Sequence, residues 1–213
     1  MIIEYSTYDI SLSDDELKTN LQQAITFNPD TISVLPTSLK LAKNIIPPSI
    51  ALSTVVDYPL GILDSKNRNS ITETCIKNGA KIISIAAQPY NFCNRKYDKF
   101  REDIRTNIEI CLKHDVELRY ILEYRVFTYE LLYKVSQILL DIGVNTIYPS
   151  TGYLLDDIND NILASCLINK KVPINIICNG NLWNINQISI IKKSNLFGIM
   201  VNSLNALELV SKK

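Results

Sequence analysis

Short apolar runs alternate with amphipathic segments along the whole chain, and this alternation restricts the fold more than any other feature. Examples of the runs are IALSTVV (50–56), KIISIAA (81–87) and VELRYILEY (116–124), and each is followed by a segment with helical periodicity. Strands that are apolar on both faces are typical of parallel sheets covered by helices. If IIEY (2–5) is the first strand, the pattern predicts about eight strands alternating with about eight helices.

Eight such units in a chain of 213 residues fit a compact (β/α)8 barrel, or TIM barrel. The prediction is one domain over residues 1–213, because no linker or low-complexity segment interrupts the pattern. An open doubly wound sheet is the alternative. No glycine-rich phosphate loop of the dinucleotide or P-loop type follows any strand, so the sequence offers no support for a nucleotide cofactor.

Local signals predict several helix ends. Ser13, with Glu16 three residues later, is a capping box and indicates a helix start. The pair Asn78-Gly79 and the later Gly143 indicate helix ends, because glycine readily adopts the left-handed conformation found there. Further helices are expected from about Tyr97 to His114, within 155–169, within 184–193 and from Leu204 onward.

The composition excludes several classes of protein. Lys plus Arg and Asp plus Glu number 22 each, so the net charge is zero and no general attraction to nucleic acid is expected. The five cysteines form no C-x-x-C pair, which argues against a zinc site or a disulfide framework. The N-terminus lacks a signal-peptide pattern, and no segment approaches the roughly 18 apolar residues that span a bilayer. We therefore expect a soluble, cytoplasmic protein without membrane contact.

Small polar turns follow the last three predicted strands. Ligands of (β/α)8 barrels bind at the C-terminal ends of the strands, and the late loops often bind phosphate through backbone N–H groups. The same residue types are also common in ordinary turns and N-caps, and both interpretations stay open. The candidate phosphate-binding residues are Ser150, Thr151, Gly152, Asn179, Gly180, Asn202 and Ser203.

An ordered series of motifs covers nearly the whole chain. STVVDYPLG (53–61) ends like G-F-P-L-G, LRYILEY (118–124) is similar to a strand with I-I-E-T, and IYPSTGY (147–153) is similar to I-K-T-S-T-G-F. These family motifs are those of the deoxyribose-phosphate aldolases, class I aldolase barrels that act through a lysine Schiff base. Four further segments, IEYS (3–6), NGAKIISI (78–85), INIICNG (174–180) and IMVNS (199–203), stand where that family has I-D-H-T, N-G-A-D-E-I-D, V-K-A-S-G-G and I-G-T-S-S.

The resemblance implies reversible cleavage of 2-deoxy-D-ribose 5-phosphate to glyceraldehyde 3-phosphate and acetaldehyde, but the chain departs from the family where this chemistry occurs. The Schiff-base lysine falls on Tyr148, and tyrosine cannot form an iminium. The second lysine falls on Ile176, or on Asn175 if the alignment shifts by one. The proton-handling aspartate falls on Ser84, which is no acid or base near neutral pH. The family's glutamate is retained as Glu123.

No other residue replaces the missing groups. Lys81 lies at the start of its strand, on the wrong side of a barrel, and His114 is expected at a helix end on the surface. No cluster of Asp, Glu and His indicates a metal site, so neither a metal nor a cofactor is predicted.

Three functions therefore compete. The first is a catalytically degenerate aldolase homologue that binds a small phosphorylated sugar without cleaving it. The second is a rerouted sugar-phosphate lyase or isomerase in which Tyr148 or Glu123 transfers protons. The third is a barrel with a purely structural or partner-binding role. The resemblance also implies assembly into a homodimer.

Overall fold

Eight parallel strands close into a barrel in the computed structural model, which describes residues 1–153, 157–182 and 184–212. Each strand pairs with its neighbours in chain order, and the first strand pairs with the last. This closure confirms the (β/α)8 barrel and excludes the open doubly wound sheet. The strands are β1 (Ile2–Thr7), β2 (Thr31–Val34), β3 (Ala51–Val56), β4 (Ile82–Ala86), β5 (Glu117–Ile121), β6 (Thr146–Tyr148), β7 (Asn175–Asn179) and β8 (Gly198–Val201).

Helices follow the strands and cover the outside of the barrel. The predicted capping box of Ser13 and Glu16 is present at the first helix, and Gly143 ends the sixth helix with φ 111°. The helix predicted within 155–169 begins at Ile158, and positions 155 and 156 lie outside the described residues. The α-helices are α1 (Asp14–Thr26), α2 (Leu39–Lys43), α3 (Ser65–Lys77), α4 (Pro89–Cys93), α5 (Tyr97–Leu112), α6 (Tyr129–Ile142), α7 (Ile158–Lys171), α8 (Ile185–Lys193) and α9 (Leu204–Ser211), and a 3-10 turn covers Pro36–Ser38.

Side chains alternate between the barrel interior and the layer under the helices, as the two faces of a strand require. The large apolar core lies between strands and helices and includes Ile83, Tyr120 and Ile147. A smaller apolar cluster, with Val55 and Ile177 among its members, fills part of the interior. The buried polar residues on the interior faces are Glu4, Ser6, Thr31, Ser33, Ser53, Ser84, Arg119, Thr146 and Asn179. The interior of this barrel is therefore more polar than the branched apolar layers that are usual in the fold.

The turn after β3 is held by a buried arginine. Asp57 has φ 54°, a left-handed conformation, and it stands where the aldolase motif has its first glycine. Its carboxylate accepts hydrogen bonds from the backbone N–H groups of Ile62 and Leu63 at 3.0 and 3.1 Å. It also forms a 2.8 Å ion pair with the fully buried Arg68 of α3. The carboxylate thus compensates for the loss of glycine by fixing the loop that follows.

Arg68 links this turn to the next helical layer. Its guanidinium donates to the carbonyl oxygen of Ala86 at 2.8 Å and lies 3.1 Å from the Asp103 carboxylate of α5. Tyr120 of β5 donates to the same carboxylate at 3.3 Å. Two carboxylates therefore contact one buried cation, and these contacts offset part of the cost of its desolvation.

No helix in the described part of the chain is long and apolar enough to cross a membrane.

Substitution of Gly61 tests how tightly this turn is packed. Gly61 has φ +63°, and an added Cβ would lie 2.1 Å from the carbonyl oxygen of Ala87. We expect Gly61→Ala to lower the free energy of unfolding by about 3–4 kcal/mol, because conformational strain and a backbone clash add together. The measurement is urea denaturation followed by circular dichroism.

Gly152 supplies the matched control. Its φ is +72°, but an added Cβ would meet nothing within 4 Å. Gly152→Ala should therefore cost only about 1–2 kcal/mol, the strain of the left-handed conformation. Equal losses for the two variants would show that the close approach of Gly61 to Ala87 does not matter.

Candidate active site

A cavity of about 420 Å³ opens at the C-terminal ends of β1, β6, β7 and β8, and we call it the mouth cavity. Its position agrees with the ligand sites of (β/α)8 barrels. It extends outward over the start of α1, where Leu12 and Asn20 form part of its wall. Five of the seven candidate phosphate-binding residues line it, namely Thr151, Gly152, Asn179, Gly180 and Asn202.

The two remaining candidates have other contacts. Ser150 is buried beneath the cavity, and its hydroxyl accepts a hydrogen bond from the N–H of Gly152 at 2.9 Å. Ser203 is the N-cap of α9, where its hydroxyl accepts from the N–H of Ala206 at 3.2 Å. Both side chains therefore support local backbone structure.

The backbone donors of the Ser150-Thr151-Gly152 turn are largely used within the protein. The N–H of Thr151 donates to Glu123 at 3.2 Å, and the N–H of Tyr153 donates to the Thr151 hydroxyl at 3.2 Å. Together with the Gly152 bond, three successive N–H groups point at internal acceptors. These three donors are consequently not free to bind a phosphate.

Tyr148, which stands at the position of the Schiff-base lysine, points into the barrel and is tied to a buried ion pair. Its hydroxyl donates to Glu4 at 2.7 Å and accepts from Arg119 at 2.8 Å. Arg119 in turn forms a salt bridge with Glu4 and a bidentate one with Glu117, at 2.7 and 2.9 Å. Glu4 and Tyr148 are at most 2 % exposed, so solvent does not screen these contacts.

This environment keeps the Tyr148 phenol neutral. Burial, followed by the neighbouring Glu4 carboxylate, raises the pKa of Tyr148 well above its usual value of 10.0. Its proton is already donated to Glu4 and its oxygen already accepts from Arg119. A general base needs a free lone pair and a pKa near the working pH. Tyr148 has neither, and it carries no amine.

The structure also locates the other positions that the aldolase motifs single out. Ile176 packs in the large core under the helices, whereas Ile177 lies in the interior cluster. The alternation of β7 then directs Asn175 inward, so the interior face of this strand does not include Ile176. Ser84 faces the interior, and its buried hydroxyl has no hydrogen-bond partner among the described residues.

Little space is left at the barrel axis above Tyr148. Ser84 and Tyr148 line an axial void of about 10 Å³. The rings of Tyr8 and Tyr58 lie on the other side of this void. A volume of this size is about that of one water molecule. The two rings lie 5.2 Å apart, and the Tyr58 hydroxyl donates to the carbonyl oxygen of Thr151 at 2.7 Å. A sugar carbonyl cannot reach Tyr148 in this arrangement.

The retained acid, Glu123, is buried at the edge of the mouth. One carboxylate oxygen accepts from the Thr151 hydroxyl at 2.6 Å, and the other has no partner among the described residues. A second cavity of about 160 Å³, mostly apolar, lies beside it between Pro59 and Phe127. Burial, and to a smaller extent the Glu123 charge, raises the pKa of Tyr58 to about 12.

Sequence reasoning did not identify Arg119 and Glu4 as site residues. A signal was available for Arg119, because it is a charged residue in the middle of an apolar strand. Lys81 and His114 are both exposed, away from the interior.

No family model matches the chain, but known proteins are similar to it in sequence and in fold. Deoxyribose-phosphate aldolases from three bacteria are similar in sequence. The Metamycoplasma hominis protein is 23 % identical over 71 % of this chain and 69 % of its own length. Those of Metamycoplasma arthritidis and Staphylococcus carnosus are 28 % and 26 % identical, over 62 % and 65 % of this chain. The matched stretches span 61 % and 63 % of these two relatives, less than two thirds of their length.

Solved structures match over a larger share of the chain. The aldolase QR15 has a TM-score of 0.86 at 18 % identity and covers 97 % of this chain and 93 % of its own. The deoxyribose-phosphate aldolase of Aeropyrum pernix, described as tetrameric, has a TM-score of 0.83 at 13 % identity and covers 99 % and 89 %. The fold is therefore that of an aldolase-type (β/α)8 barrel.

The sequence relatives make the assignment more specific. These relatives and the Aeropyrum pernix structure are named deoxyribose-phosphate aldolase, the family that the ordered motifs resemble. This chain is thus similar in sequence to the deoxyribose-phosphate aldolases and shares their barrel fold.

Removal of the Tyr148 hydroxyl tests the buried contact. We expect Tyr148→Phe to lower the free energy of unfolding by about 2–3 kcal/mol, because it takes a donor from a buried carboxylate. Urea denaturation measures the loss. Tyr5→Phe is the control, since the Tyr5 hydroxyl donates to the neutral amide oxygen of Asn20 at 2.8 Å and should cost about 1 kcal/mol. If both variants lose the same amount, the charged bridge contributes nothing extra.

Proposed function

We propose that this chain is an aldolase homologue that no longer performs Schiff-base catalysis and binds a small sugar-derived ligand at its mouth. The observation that carries the proposal is the bridge from Tyr148 to Glu4 and Arg119 at the position of the family's lysine. The class I reaction needs an amine there to form an iminium, and a phenol that is neutral and hydrogen-bonded cannot replace it. The closed axis above Tyr148 supports the same conclusion independently.

The proposed ligand is a small phosphorylated sugar, as the family resemblance implies. Gly180 and Asn202 line the mouth cavity, and α9 begins directly after the second of them. A helix start directs its N–H groups and the positive end of its dipole outward, which favours an anion. We place the phosphate on this side, because the donors of the Ser150-Thr151-Gly152 turn are used internally.

Borohydride trapping tests the loss of Schiff-base chemistry. The folded chain is incubated with 2-deoxy-D-ribose 5-phosphate and sodium borohydride, and its intact mass is measured. We expect no adduct beyond the background on exposed lysines, which the same chain unfolded in urea defines. A stoichiometric adduct on the folded chain alone would overturn the proposal.

Proton transfer by Glu123 is a second candidate function, an active but rerouted sugar-phosphate lyase or isomerase. It is favoured by the buried carboxylate oxygen that has no partner among the described residues. Such an oxygen beside an apolar cavity is typical of a general base. Tyr148 contributes no proton transfer to this scheme, since both of its hydrogen-bonding roles are taken.

Glu123→Gln separates the two candidates. The amide keeps the acceptor for the Thr151 hydroxyl and removes the base, so a rerouted enzyme should lose at least about a hundredfold in rate. Our proposal expects no turnover of 2-deoxy-D-ribose 5-phosphate or ribose 5-phosphate by either form, as measured by NMR of the sugar. Turnover by the native chain that is lost in Glu123→Gln would establish the second candidate instead.

Assembly into a homodimer, which the resemblance implies, and a cytoplasmic location, which the sequence composition and N-terminus favour, are further proposals. One structural neighbour is described as tetrameric, so self-assembly is compatible with this fold. Light scattering in solution gives the mass, and a monomer at micromolar concentration would contradict the first of the two.

A further inference from the structure

The mouth cavity contains hydrogen-bonding groups but no basic side chain among its described lining residues. Among these described lining residues, Asp9 is the only charged one, and hydrogen bonds from the Ser11 hydroxyl and N–H lower its pKa. An exposed carboxylate repels a phosphate and accepts hydrogen bonds from hydroxyl groups. Over most of its area the cavity therefore favours an uncharged ligand with many hydrogen-bond donors.

Asn179 adds a buried acceptor to the wall. It stands at the first glycine of the family's S-G-G turn, so a carboxamide occupies space that the family leaves open. Its amide nitrogen donates to the carbonyl oxygen of Ser150 at 2.6 Å, which fixes the side chain. Its amide oxygen has no partner among the described residues, although Asn179 is only 3 % exposed. A ligand hydroxyl would satisfy this oxygen, whereas a phosphate oxygen has no proton to donate.

Two tyrosine rings supply an apolar wall. Tyr8 and Tyr58 are half-buried and line the cavity, and their ring centroids lie 5.2 Å apart with an angle of 51° between the ring planes. Their hydroxyls are held by the Ser33 hydroxyl at 2.8 Å and by the Thr151 carbonyl oxygen. The rings are thus fixed in orientation, and a ring face packs well against the C–H groups of a sugar.

We propose that the mouth cavity recognises the uncharged, polyhydroxylated part of a small sugar and that a phosphate is dispensable for binding. This inference rests on the proposed ligand-binding function and concerns which part of the ligand provides the affinity. The cavity volume of about 420 Å³ suffices for a pentose or a hexose. The hydroxyls donate to Asn179 and Asp9, and the carbon skeleton packs against Tyr8 and Tyr58.

Thermal unfolding with a set of matched ligands tests the inference. The probes are 2-deoxy-D-ribose, D-ribose and ribitol, the 5-phosphates of the two sugars, and inorganic phosphate alone. At about ten times the dissociation constant, we expect the neutral compounds to raise the Tm by about 3–5 °C. Because the ligand is neutral, the shift should persist in 0.5 M NaCl, where charge interactions are screened.

Two variants identify the site. Asn179→Leu should abolish the shift, but it also loses the bond to Ser150 and can weaken the fold. Thr7→Val is milder, since it keeps the side-chain shape and removes the hydroxyl of a residue that lines the cavity. It should weaken binding of the neutral sugars about three- to tenfold.

The outcomes separate this inference from the proposed function. A shift with neutral sugars that both variants reduce supports it. If the phosphorylated sugars or inorganic phosphate raise the Tm and the neutral sugars do not, the inference is overturned and a non-catalytic, phosphate-binding barrel is left. No shift with any compound, or a shift that the variants do not change, also overturns it. A borohydride adduct would instead defeat the proposed loss of catalysis, whatever the neutral sugars do.

Discussion

The ion pair between Arg119 and Glu4 inside the barrel is the interaction on which the rest of the interior depends. Desolvating two charges costs several kcal/mol each, so the pair is tolerable only with further hydrogen bonds. Glu117 and Tyr148 provide them, at 2.7 to 2.9 Å. A lysine at 148 would bring a second cation within hydrogen-bond distance of Arg119. The tyrosine suits the arginine, because its hydroxyl donates to Glu4 and accepts from Arg119 without adding a charge.

This arrangement moves the available space away from the axis. Tyr148 fills the interior from below, and Tyr8 and Tyr58 close it from above, which leaves a void of about 10 Å³. The larger space lies to one side, where β1, β7 and β8 end. A ligand in that space meets hydroxyl, amide and aromatic groups and lies away from the position where an aldolase performs its chemistry. The mouth cavity and the space above Tyr148 are thus separated by the rings of Tyr8 and Tyr58.

Local signals in the sequence predicted the elements well, because caps and periodicity depend on neighbouring residues. The capping box of Ser13 and the helix end at Gly143 were both confirmed. Helix α4 was not predicted, although Pro89 at its first turn is a residue that favours helix starts. The sequence left the second lysine position open between Ile176 and Asn175, because a shift of one residue in a strand exchanges its two faces, and in the structure Ile176 packs under the helices. The turns after the late strands did converge on one cavity.

The sequence by itself determined the alternation of strands and helices, the family resemblance and the tyrosine at position 148, because each of these follows from residue type and order along the chain. Only the tertiary structure decided that the sheet closes into a barrel and which groups Tyr148 contacts. Glu4, Arg119 and Tyr148 are separated by as many as 144 positions, and only barrel closure brings them together. The tertiary structure also decided that Asn179 has an unpaired oxygen among the described residues, because hydrogen-bond partners depend on distance in space.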